Sequence, residues 1–80
     1  MEYSYRVDTE KLKEAREEAG LSLAGLALKT GLDGYYLMLV EQRLRVPTLT
    51  SLRSITLALD LPTHTVIEWK AGSSVWESSA

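Results

Sequence analysis

Residues 8–59 are cut into short lengths by their own punctuation. Asp8, Ser22, Asp33 and Thr48 each head a run of helix-forming residues, while Gly20, Gly31 and Pro47 close or bar what precedes them. Short polar side chains at such heads accept a hydrogen bond from the unpaired N–H groups of a first helical turn. Glycine takes the left-handed conformation that ends a helix, and proline cannot continue one. The punctuation predicts helices over residues 9–19, 23–30, 34–42 and 49–59, with a fifth over about 64–71, capped by Thr63 and stopped by Gly72.

Side-chain periodicity fits these helices. Leu12, Ala15 and Ala19 recur at helical spacing in the first, whose wet side takes Lys11, Lys13, Glu14, Glu17 and Glu18. Leu52, Ile55 and Leu59 make the apolar stripe of the fourth. Ahead of the helices, "YSYRV" alternates apolar and polar residues as a short strand or extended arm does. The expected organisation is an N-terminal arm over 1–8, one helical domain over 9–71 and a Ser-rich tail over 72–80.

Inventory excludes several classes of chemistry. With 80 residues the chain has room for one small domain, and with no cysteine it can build neither a disulfide framework nor a thiolate metal site. His64 is the single histidine, so no metal site or cofactor is expected. No nucleophile stands with a base and an orienting third group, and Ser22 is accounted for as a cap, so the chain is not expected to be an enzyme. The longest apolar run, 37–40, is far too short to span a membrane, and the acidic start lacks the pattern of a secretory leader. A cytoplasmic location is expected.

The second and third helices, joined through Gly31, have the proportions of a helix-turn-helix. From Leu12 to Ile67 the chain resembles, without a gap, the lambda-repressor-like, Cro-type (XRE) helix-turn-helix family. The resemblance rests on "LKEAREEAGLS", Leu26 and Ala27, "GL" at 31–32, Leu37, Val40 and Glu41, then Arg45, Pro47, Leu49, Leu52 and "ALDL". It implies an all-α, five-helix DNA-binding domain in which the third helix enters the major groove. It also implies an ion pair between Arg16 of the first helix and Glu41 of the third. Leu23, Gly34, Tyr35, Tyr36 and Leu39 occupy the base-reading positions, and Gln42, Arg43 and Arg45 the loop that meets phosphate.

At those positions the chain departs from family chemistry. Base edges are read by amides and guanidinium groups, and none of the five side chains carries one. Charge leaves the DNA reading open: the net is -2, yet residues 35–55 hold Arg43, Arg45 and Arg53 against Glu41 alone.

Two functions follow. The first is a small transcriptional regulator, repressor-like, that reads duplex DNA through its third helix. The second keeps the fold but docks a protein partner on an apolar face formed by Leu23, Tyr35, Met38 and Leu39, extended by Leu28 and Leu44. Tyr3, Tyr5, Val7, Val66, Trp69, Val75 and Trp76 are more than the two ends of so small a domain need, which leaves room for a homodimer.

Overall fold

The computed structural model describes residues 3–71. Strand β1 (Tyr3–Val7) leads into α1 (Thr9–Glu18), α2 (Leu23–Thr30), α3 (Gly34–Glu41) and α4 (Leu49–Ala58). A single 3-10 turn (Thr63–Thr65) then precedes strand β2 (Ile67–Ala71).

The caps work largely as the sequence predicts. Asp8 accepts from the N–H of Lys11, Ser22 from that of Gly25, and Thr48 from that of Ser51. Asp33 stands at the N-cap of α3, but its side chain makes no capping bond. Gly20 and Gly31 take the left-handed conformation, at φ 72° and 77°.

Leu12, Leu26, Leu37, Val40, Leu52, Ile55, Leu59 and Val66 form one buried cluster drawn from all four helices and the turn that follows. Ala15 packs against this cluster, whereas Ala19, placed with it by spacing, is the exposed C-cap of α1. Buried polar groups are satisfied: Thr56 Oγ1 shares a 2.7 Å hydrogen bond with Thr63 Oγ1. Among the described residues no buried side-chain nitrogen or oxygen lacks a partner.

The expected fifth helix is not formed. Thr63 supports one 3-10 turn, in which Val66 N–H donates to the Thr63 carbonyl, and the chain then runs extended. β2 pairs antiparallel with β1, Tyr5 opposite Trp69 and Val7 opposite Ile67. A helix over 64–71 would have had only two turns, too few to hold without strong packing. The same residues are rich in β-branched and aromatic side chains and meet a strand that needs a partner for its backbone. Asp8 N–H closes the junction on the Val66 carbonyl at 2.8 Å. The N-terminal segment is therefore the first strand of a two-stranded ribbon, and the described residues hold four α-helices. Gly72, Val75 and Trp76 lie outside the described residues.

Candidate nucleic-acid interface

α2 and α3 meet across Gly31. Gly34 opens α3 close to Ala27, where a Cβ built on the glycine would stand 3.9 Å from the Ala27 methyl. Small residues on both sides let the two helices approach. Leu26 of α2 and Leu37 and Val40 of α3 point into the core, which fixes the orientation of the opposite face of α3.

That face is less exposed than the sequence suggests. Tyr35 is 65% exposed, whereas Gly34, Tyr36, Met38 and Leu39 are each half-buried. Leu23, expected beside them, packs against the core from the first turn of α2. Leu28 and Leu44 are open to solvent, as the apolar-face reading expects, and Val46, Leu49 and Leu57 join them without having been anticipated.

Glu41 ends α3 and binds back to α1. Arg16 Nε donates to Glu41 Oε2 at 2.7 Å and Nη2 to Oε1 at 3.0 Å, a bidentate pair. The implied ion pair is present. Gln42 is the C-cap of α3 and lies exposed. Arg43 follows with φ at 62°, a conformation uncommon outside glycine, and its Nε donates to the buried Thr9 Oγ1 at 3.0 Å. Arg43 therefore ties the loop to the start of α1 through one of its nitrogens.

Arg45 turns the other way. Its Cζ stands 5.4 Å from the centroid of the Tyr36 ring, within cation–π range. The Tyr36 hydroxyl accepts a hydrogen bond from Thr48 N–H at 3.3 Å. Pro47 is buried, and its carbonyl accepts from the Tyr5 hydroxyl on β1. The loop over residues 43–48 is thus held from three sides, by α1, by α3 and by the strand. A cleft of about 770 Å³ lies between loop and ribbon, lined by Tyr5, Val7, Thr9, Arg43, Arg45 and Pro47 among others.

The sequence points to each loop residue but not to these partners. Arg43 meets Thr9 across 34 positions and Tyr5 meets Pro47 across 42, separations at which no local pattern carries a signal. Among the described residues the Arg16–Glu41 pair is the single ion pair, so Arg43 and Arg45 keep their charge without a carboxylate partner.

Four helices around one core, the second and third joined by a left-handed glycine, with a basic loop after the third, define a helix-turn-helix protein. No protein-family model matches the chain. It is 34% identical over 62 residues to the HTH-type transcriptional regulator SinR of Bacillus subtilis, a match covering 76% of this chain and 56% of SinR. The chain thus spans little more than half the length of that curated relative.

Among solved structures, the master regulator for biofilm formation SinR in complex with DNA superposes with a TM-score of 0.68 at 34% identity, over 71% of this chain and 92% of that one. The restriction-modification controller protein C.AhdI from Aeromonas hydrophila gives 0.67 at 34% identity, over 70% and 85%. The chain belongs to the lambda-repressor-like, Cro-type (XRE) helix-turn-helix family. No helix among the described residues is long and apolar enough to cross a membrane.

Proposed function

We propose that the chain is a small DNA-binding transcriptional regulator, repressor-like, that presents α3 to the major groove of duplex DNA. The observation that carries this reading is the basic loop after α3, braced on three sides and leaving the Arg43 and Arg45 charges uncompensated. A braced arginine beside the recognition helix fixes that helix in register through phosphate contact. The similarity to SinR in complex with DNA supports the same orientation. Tyr35 is the most exposed side chain of α3 and stands at base level, while Arg45, Gln42 and the free nitrogens of Arg43 face the backbone. Tight binding calls for two copies on paired half-sites, since one short helix reads few bases.

The protein-docking reading loses ground on burial. Three of its four principal contacts, Leu23, Met38 and Leu39, are half-buried within the domain's own packing.

A salt titration against random-sequence and selected duplexes tests the DNA reading. The expected result is binding to random duplex at low salt that weakens steeply as salt rises, with tighter binding to the selected site. Absence of binding to any duplex at low salt would overturn it.

A further inference from the structure

α3 carries two adjacent tyrosines with opposite surroundings. Tyr35 is 65% exposed and no hydrogen bond engages its hydroxyl among the described residues. Tyr36 is half-buried, its ring lies under the Arg45 guanidinium at 5.4 Å, and its hydroxyl accepts from the backbone of Thr48 at 3.3 Å. Thr48 is itself the N-cap of α4, fixed by its bonds with Ser51. One side chain thus touches the middle and the far end of the turn that joins α3 to α4.

We propose that Tyr36 is a positioning residue, which anchors the 43–48 loop to α3 and holds Arg45 ready for a DNA phosphate, while Tyr35 alone of the pair reads bases. The role rests on the DNA-binding reading above and deepens it. An exposed arginine without a carboxylate partner samples many rotamers, and ordering it on binding costs affinity. Stacking on a ring already locked to the next helix removes part of that cost before DNA arrives. The Tyr36 oxygen is held by the Thr48 N–H and one face of its ring is covered by Arg45, so less of this side chain than of Tyr35 is left to present to a base edge. Its effect on binding is therefore uniform across sequences.

Nuclear magnetic resonance and binding measurements on the full chain test this together. In the free protein the Arg45 δ-methylene protons should be shifted upfield by the Tyr36 ring. That shift should persist in Tyr36→Phe and vanish in Tyr36→Leu. Tyr36→Leu should weaken binding to random and selected duplexes by the same factor, roughly 3- to 10-fold, leaving their ratio unchanged. Added to Arg45→Ala it should cost little more, because the two act as one unit. Tyr35→Ala should instead lower the ratio.

Tyr36→Phe, which keeps the ring and is the variant least at risk of misfolding, should bind close to the wild type in selectivity. A changed selectivity in Tyr36→Leu or Tyr36→Phe, full additivity with Arg45→Ala, or a wild-type Arg45 without the ring shift would each overturn the assignment. A wild-type chain that binds no duplex at low salt would instead remove the DNA-binding reading and this role with it. The ring shift would then report the loop anchor alone.

Discussion

Arg16 and Glu41 clamp the end of α1 to the end of α3 through two parallel hydrogen bonds, at 2.7 and 3.0 Å. The remaining guanidinium nitrogen, Nη1, donates to the Leu21 carbonyl at 2.8 Å, so the same arginine also holds the link into α2. The two side chains are only 12% and 11% exposed. The hydrogen bonds that Arg16 donates to Glu41 raise its pKa, and the Glu41 charge adds to the effect against the opposing influence of burial. A raised pKa means that this contribution to stability is complete below the ordinary arginine range. It is lost only as pH rises through the still higher folded value, so Arg16 brings no pH dependence near neutrality.

Replacing Glu41 with Ala should therefore destabilise the domain by about 3 kcal/mol, because it strands a guanidinium that cannot readily lose its proton. Urea unfolding at neutral pH measures it. A loss below about 1 kcal/mol would mean that water screens the pair as it does on a surface.

The Arg16–Glu41 pair was legible in the sequence because it comes with the family spacing, and so were the four helices, because caps and breakers act within a few residues. β2 was not. Thr63 as a cap and Gly72 as a stop mark that stretch as a helix, and its strand state depends on β1, some sixty positions away. The site was legible in position but not in exposure. Counting apolar residues on α3 shows that not all can be core, but whether Met38 and Leu39 are open or half-buried depends on neighbouring loops. Tyr36 could be placed on α3 by periodicity, whereas its partners Arg45 and Thr48 come from the fold of a turn set by the left-handed backbone at Arg43.

The caps of α2 and α3 should separate under the same substitution. Ser22→Ala removes the bond to Gly25 N–H and should cost about 1 kcal/mol. Asp33→Ala removes no such bond, and its cost should stay near the few tenths expected from charge at a helix start. Equal losses in denaturant unfolding would mean that Asp33 caps α3 in solution after all.

The two glycines flanking the turn between α2 and α3 should also part company. Gly31 has open space around it but a φ of 77°, so Gly31→Ala should cost about 1 kcal/mol through the backbone alone. Gly34 is helical and its new methyl would meet Ala27 at 3.9 Å, ordinary van der Waals contact. Gly34→Ala should be neutral or stabilising by up to about 1 kcal/mol, the helix propensity gained over glycine. Thermal unfolding of both variants checks the contrast, and a destabilised Gly34→Ala would show that α2 and α3 cannot spread to admit a methyl group.

Residues 3–7 should behave as part of the folded domain rather than as a dispensable arm. β1 supplies Val7 to the edge of the core, a backbone partner for the whole of β2, and the Tyr5 hydroxyl to the Pro47 carbonyl. A chain beginning at Asp8 loses all three and leaves the loop braced only by α1 and α3. It should be less stable by about 2 kcal/mol or more, from apolar area and hydrogen bonds together. Tyr5→Phe, which keeps the ring, should account for about 1 kcal/mol of this. Circular dichroism melts of the full chain, Tyr5→Phe and the shortened chain give the comparison. If the shortened chain melts with the full one, the ribbon contributes nothing to the fold.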